Sequence, residues 1–330
     1  MRIIDKAQLV EILDRDLAVR LIEEGFIAFS AGKVHVPPVQ NFAFTEQNGD
    51  CCVKSAWLQG SDTFTVKVST GFYDNPSKGL ESNDGLMLVF SARTGQPLAL
   101  LQDQGWLTCL RTALAGRVVA RLLAPRKVRA IGVLGSGVQA RMQLEQLLPV
   151  TDCRRLIAWG RDAGRLADYR RFAEGLGFEV RTTHEARELA ESANLIVCTT
   201  PSREPLLQRE WIQPGTHITA VGADGPGKQE LDPALVAAAD CIVVDAVGQC
   251  SRYGEVSHAL QAGLIAPSDL IEIGALLAGQ ASGRTQDAAI TLADLTGVAV
   301  QDAQIARCAL MSLGASRQGD LLAQFGQNRG

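Results

Sequence analysis

Aromatic side chains are scarce, at 5% of 330 residues, and histidine is scarcer, with four. Trp57, Trp106, Trp159 and Trp211 stand too far apart to form a base-stacking platform and read as core or interface packing. Positive charge is not in excess: the net charge is -4, which excludes a broad electrostatic footprint for nucleic acid or an anionic membrane. Eight cysteines include no CxxC pair, and no histidine is spaced to complete a zinc site, so no metal centre is expected. No apolar run approaches the roughly 20 residues of a membrane span. The first residues reach Asp5 without the apolar core of a signal peptide, so the cytoplasm is the expected compartment. Internal repeats and low-complexity tracts are also lacking. What is present is 46% hydrophobic and 21% charged, the composition of a globular enzyme with a small-molecule partner, and long enough for two domains.

The hydrophobic period changes along the chain. Residues 6–31 read as two helices, from Leu9, Ile12 and Leu13 and again from Leu17, Leu21, Ile22, Phe26 and Ile27. Between 51 and 103 the runs CCVKSAWL, TFTVKVST, LMLVFSA and LALLQD, separated by Gly, Asn, Asp and Pro, predict an antiparallel sheet packed on those helices. Thr108 to Leu123 is helical, closed by Pro125. Thereafter strands (VRAIGVLGSG, RLIAWG, FEVRTT, NLIVCTT, HITAVG, CIVVD) alternate with helical segments, which predicts a parallel, doubly wound α/β sheet. A final helix after Asp302 carries Ile305, Ala309, Leu310 and Leu313 on one stripe and could return to the first domain.

Gly135-Ser136-Gly137-Val138-Gln139-Ala140 is a G-x-G-x-x-A turn between an apolar strand and a helix. The first glycine permits the tight turn, the second admits pyrophosphate oxygens to the backbone, and the small third residue lets the helix pack on the strand. Dinucleotide binding is therefore expected. The next strand ends at Gly160-Arg161-Asp162 with no acid at its tip, which favours NADP(H) over NAD(H) through Arg161. The alternative is a solvated Arg161 beside a helix-capping Asp162.

Three charged residues stand where the pattern predicts none. Phe64, Val66 and Val68 share one strand face, leaving Lys67 on the other, either solvent-facing or functional. Arg111 lies in a nearly uncharged helix start and needs an anion, either a ligand carboxylate or an internal salt-bridge partner. Asp224 follows the strand HITAVG on a glycine-rich loop, where it either closes a turn or exchanges a proton with a substrate nitrogen. His217 and His258 read as hydrogen-bonded structural residues.

The segments TVKVSTGFYDNP, GLMLVFSARTGQPLALL, LTCLRTALAG, VLGSGVQARMQ, VGADGPGKQELDPALV, YGEVSHAL and TLADLTGVAVQDAQIA together resemble the ornithine cyclodeaminase/mu-crystallin family over most of the chain. The resemblance implies a Rossmann domain (118–302) inserted into a smaller α+β substrate-binding and dimerisation domain (1–117 with 303–330), and a homodimer. It implies that Lys67 and Arg111 hold a substrate carboxylate, with Lys67 also catalytic, and that Asp224 transfers the proton. Thr296-Gly297 would lie near the nicotinamide. The expected cofactor set is Gly135, Gly137, Val138, Gln139, Arg161, Thr199, Thr296 and Gly297. Two positions depart from the family pattern. Gln40 stands near where relatives place a further carboxylate-binding arginine, and Lys54 where ornithine cyclodeaminases have an acid. Lys54 is either an exposed strand lysine or a contact for a second carboxylate or polar tail. The expected activity is NAD(P)H-dependent reduction of a small α-imino acid, cyclic like pyrroline-2-carboxylate or dicarboxylic like iminosuccinate, or the reverse amino acid dehydrogenation. The alternatives are an ornithine or lysine cyclodeaminase and a crystallin-like ligand-binding protein.

Overall fold

The structure is a computed structural model that describes residues 1–327, apart from the side chains of Pro76 and residues 315–327. It divides into two compact units, one formed by Met1–Arg111 with the chain from Ala299 onward and the other by Thr112–Val298. These divisions precede the expected 117/118 and 302/303. The last parallel strand ends at Asp294 and the final helix already begins at Ala299, so Asp302 belongs with that helix in the first unit.

Alternating short apolar runs make the sheet of the first unit. Its strands are β1 (Arg2–Asp5), β2 (Val34–His35), β3 (Gln40–Phe44), β4 (Gly49–Leu58), β5 (Thr63–Phe72), β6 (Asn83–Ser91) and β7 (Pro97–Gln102), in the order β1-β7-β6-β5-β4-β2, with β3 also on β4. The pairs are antiparallel except β1 with β7. Asp5 and Gln8 form a capping box at helix Lys6–Ile12, and Asp14 accepts from the Asp16 and Leu17 amides to start helix Arg15–Ser30. Helix Ala299–Gln327 packs on Arg15–Ser30 and on β4 and β5. A Cβ on Gly25 would stand 2.9 Å from Gln304 Cγ, so only glycine lets these two helices approach so closely. Leu21 O accepts from Gln304 Nε2 at 2.6 Å in the same seam.

The two faces of this sheet reverse the simple expectation. Thr65, Lys67, Met87 and Val89 make the buried face, whereas Phe64, Val66, Val68, Leu88 and Phe90 are only half-buried on the other. Lys67 is thus neither solvent-facing nor on the polar side of an amphipathic sheet.

The second unit contains β8 (Ile131–Leu134), β9 (Arg155–Trp159), β10 (Glu179–Thr183), β11 (Leu195–Cys198), β12 (Arg203–Leu207), β13 (His217–Ala220), β14 (Gln229–Leu231), β15 (Cys241–Val244), β16 (Leu270–Glu272) and β17 (Thr291–Asp294). Eight of these form a parallel sheet in the order β10-β9-β8-β11-β13-β17-β15-β16, and β12 pairs β14 beside it. Helices cover both faces: Ala140, Leu144, Leu166 and Tyr169 pack on Ile131, Val133, Leu156 and Ala158, while Leu189, Val236 and Val256 belong to the core that includes Leu134, Ile196 and Ile218. The strand order reverses direction between β8 and β11, which opens a crevice at their carboxyl ends. Strands β16 and β17 were not expected; β17 lies between β13 and β15 and was legible in the sequence only as part of a family motif.

Candidate active site

Lys67 on β5 stands directly across from Lys54 on β4 and Met87 on β6. Opposed residues of antiparallel strands share a face, so both lysines lie on the side covered by the final helix. Asp302, in the first turn of that helix, brings Oδ2 to 3.0 Å from Lys67 Nζ, and its Oδ1 accepts from Arg111 Nε at 3.0 Å. Gln301 Oε1 accepts from Arg111 Nη1 at 2.8 Å. Lys67 and Asp302 are each 2% exposed and Arg111 is 6% exposed.

Two buried cations on one carboxylate leave a surplus positive charge. Burial pulls the Lys67 ammonium down to about 8, with Arg111 and Lys54 adding to the shift and Asp302 opposing it. Burial would raise the Asp302 carboxyl, but Lys67, Arg111 and Lys54 outweigh it and hold the group below the usual carboxylate range. Asp103 lies close enough to feel Lys67. Its Oδ2 accepts the Leu107 N–H at 2.8 Å at the start of helix Trp106–Leu123, and burial pushes it up to about 6 despite that bond. The anion that Arg111 requires is therefore present internally as Asp302. Lys54 is half-buried, and its charge is felt by Lys67 and Asp302, so it is not an exposed strand lysine. Gln40 does not join this cluster. The β3–β4 register sets it opposite Val53, one residue out of phase with Lys54, so the pleat turns it to the other face.

In the second unit the G-x-G-x-x-A turn joins β8 to helix Val138–Leu147. Gly135 has φ +111°, and a Cβ there would meet Thr199 Oγ1 at 2.4 Å. Thr199 closes the crevice from β11, donating its hydroxyl to Leu134 O at 2.8 Å. Gly137 caps the helix without a side-chain hydrogen bond, and nothing among the described residues lies within 4 Å of where its Cβ would be. The backbone of Gly137, Val138 and Gln139 thus presents an open helix N-terminus at the switch point, which fits a dinucleotide pyrophosphate. Arg161 is exposed just beyond β9, while Asp162 caps the next helix by accepting from the Arg165 amide at 2.8 Å. At the end of β17, Gly297 N–H donates to Asp245 Oδ2 at 2.6 Å and the Thr296 hydroxyl to Oδ1 at 3.0 Å, with Gln249 Nε2 on Thr296 Oγ1 at 2.9 Å. Asp224 is half-exposed beyond β13 and pairs with Lys228 Nζ at 2.6 Å.

The sequence model of the ornithine cyclodeaminase/mu-crystallin family matches residues 3–313. The chain belongs to this family. It is 42% identical to a putative dehydrogenase of Rhizobium meliloti over 97% of this chain and 98% of that protein. An archaeal alanine dehydrogenase dimer with bound NAD superposes with a TM-score of 0.89 at 34% identity, covering 96% of this chain and 97% of that one. The Thermococcus litoralis Delta(1)-pyrroline-2-carboxylate reductase, in complex with NADH and L-proline, also gives 0.89, at 28% identity and 97% and 98% coverage.

Within this family fold, Lys54, Lys67 and Arg111 gather in the first unit, while Asp224 and the glycine turn lie in the second. Local sequence gives Asp302 and Gln301 no role beyond membership of the family segment TLADLTGVAVQDAQIA. Their signal was a charged and an amide side chain on the apolar stripe of a helix. Asp245 and Gln249, which fix Thr296-Gly297, carried no local signal, because their partners are about 50 residues away. His217 is structural: its ring bonds Thr291 and Thr219 hydroxyls between strands, and burial holds it near 3, hence neutral. His258 Nε2 lies 3.0 Å from Lys228 O and supports the Asp224 loop.

Proposed function

We propose that this oxidoreductase reduces the C=N bond of a small α-imino acid, or runs the reverse oxidation of an α-amino acid. The observation that carries the reading is the buried Lys67–Asp302–Arg111 cluster, which holds two cations to one carboxylate. A substrate α-carboxylate supplies the missing negative charge, so its binding adds a counterion instead of burying an unpaired anion. Asp302 aims both cations before substrate arrives, which reduces the ordering required on binding. The dinucleotide, when bound, supplies the hydride that the imine carbon takes up. Asp224 relays from solvent the proton that the nitrogen acquires, and Lys228, paired with it at 2.6 Å, holds the side chain in place.

Lys54 bears on the substrate side chain. A cation directly across from Lys67 repels the distal amine of ornithine or lysine, which disfavours cyclodeamination, and accommodates a second carboxylate. The two relatives with bound dinucleotide carry NAD or NADH. We assign this chain a preference for NADP(H), from the exposed Arg161 at the end of β9. Arg161→Ala should then raise KM for NADPH while leaving that for NADH within about twofold; equal changes for both would reject the assignment. The half-buried apolar face of Phe64, Val66, Leu88 and Phe90 supports pairing with a second copy, which sedimentation would detect.

The deciding assay mixes the protein with NADPH or NADH and either ammonia plus a panel of 2-oxo acids, pyruvate and oxaloacetate included, or cyclic imines. Nicotinamide oxidation with none of them would reject the reading. Ammonia release from ornithine or lysine without net cofactor change would establish a cyclodeaminase instead.

A further inference from the structure

Three buried carboxylates in the second unit are engaged by backbone amides and lie outside the chemistry assigned above. Asp294 Oδ2 accepts the Val256 N–H at 3.0 Å, at the start of helix Glu255–Gln261. Glu255, the first residue of that helix, accepts the N–H groups of Glu230 at 2.8 Å and Leu231 at 3.0 Å, and so holds β14. Glu230 on β14 reaches in turn to the carboxyl edge of the large sheet. There Oε1 accepts the Thr200 N–H at 2.7 Å, just beyond β11, and Oε2 accepts the Gly222 N–H at 3.1 Å, just beyond β13. Glu230 and Glu255 are fully buried, and Asp294 is 1% exposed.

Gly222 is two residues from Asp224. A Cβ on Gly222 would stand 2.2 Å from both Glu230 Oε2 and Thr200 O, so the loop is pressed onto the carboxylate as closely as a backbone can approach. A carboxylate can accept at both oxygens, whereas an amide has one acceptor and would turn its NH2 toward one of the two N–H donors. Burial pushes Glu230 up to about 8 in spite of these bonds, and the charge of Asp224 adds to the shift, so the two carboxyl groups sense each other. A polar group buried this completely needs partners, and two loop amides at the crevice are what it holds.

We propose that Glu230 is a positioning residue for proton transfer, its two oxygens tying the loops after β11 and β13 together so that Asp224 is held in register with the substrate nitrogen. Glu255 and Asp294 form the support behind it. The proposal rests on the reading of Asp224 as the proton-transfer residue. Misplacement of a reacting group by about 1 Å costs on the order of 100-fold in rate, which sets the scale of the expected effect.

The test uses Glu230→Gln and, with Glu230 left in place, Gly222→Ala. Hydrogen–deuterium exchange on the full chain should show faster exchange in peptides covering residues 199–202 and 220–228 in both variants, with the core strands β8 and β9 still protected. In assays with whichever imine or oxo acid plus ammonia the wild type turns over, each variant should lose about 10- to 100-fold in kcat with the dinucleotide Kd changed less than about threefold. In an Asp224→Asn background, Glu230→Gln should cost less than about twofold more, because the group it positions is gone. Unchanged exchange in both variants, or full additivity with Asp224→Asn, would overturn the proposal. If Asp224→Asn itself leaves turnover intact, it is the proton-transfer assignment that fails, and the exchange result still decides whether Glu230 ties the loops.

Discussion

At the scale of single residues, the decisive arrangement is one carboxylate shared by two buried cations. Lys67 has an ordinary lysine's charge only below about 8, because burial favours its neutral form. The KM of a carboxylate substrate should therefore rise as pH increases through about 8. Lys67→Met should raise KM by roughly 30-fold or more, the scale of removing a buried charged contact, and abolish that limb. A limb that survives in Lys67→Met would assign the titration to another group. Asp302→Asn leaves Lys67 and Arg111 without their shared anion. Chemical denaturation should show a loss of about 3–5 kcal/mol, the usual cost of breaking a buried ion pair on one side. The sequence displayed both cations as intruders in apolar patterns, which made them conspicuous. It did not display Asp302 as their partner, since the residue lies 191 positions from Arg111 and only the fold brings the final helix back.

At the scale of elements, the strand–turn–helix from Ile131 to Leu147 was legible because its requirements are local: a run of apolar residues, a glycine at positive φ and a bare helix start. Gly135→Ala forces a side chain into left-handed backbone and against Thr199 Oγ1. Dinucleotide affinity, followed by quenching of intrinsic fluorescence, should fall at least tenfold, about 1.4 kcal/mol, within the 1–3 kcal/mol cost of such strain. Retained affinity would show that the turn does not contact the cofactor. Strand β5 was legible as a strand, but its burial was not. Alternation assigns Phe64, Val66 and Val68 to the inside, yet the final helix covers the Thr65–Lys67 face. Periodicity identifies two faces without naming which one an element distant in sequence will cover. The same limit applied to Gln40, whose parity relative to Lys54 is set by the β3–β4 register and not by its distance from Pro38.

At the scale of the whole molecule, the buried acids and His217 set opposing pH dependences. Glu230 and Asp294 are raised to about 8 and about 7, so the folded chain binds protons that the unfolded chain releases, and their contribution is lost as pH rises from about 4.5 through 8. His217, lowered to about 3, must remain neutral, and its contribution is lost as pH falls below its ordinary 6.5. Lys67 is depressed, so it costs stability below about 8 and restores some only at higher pH. Two raised carboxyls outweigh one depressed histidine between about 4.5 and 6.5, so melting temperature should fall as pH rises from about 5 to 8; a Tm that rises across that range would contradict the raised carboxyls. By itself the sequence determined the class of the longer segments, the dinucleotide turn and the family, because these depend on residues within a turn or two of one another. Only the tertiary structure decided that Asp302 joins Lys67 to Arg111, that Lys54 stands beside them and Gln40 does not, and that Glu230 bridges two loops. Each of these depends on the return of a helix, a sheet register or a crossover between strands, and none is encoded in local spacing.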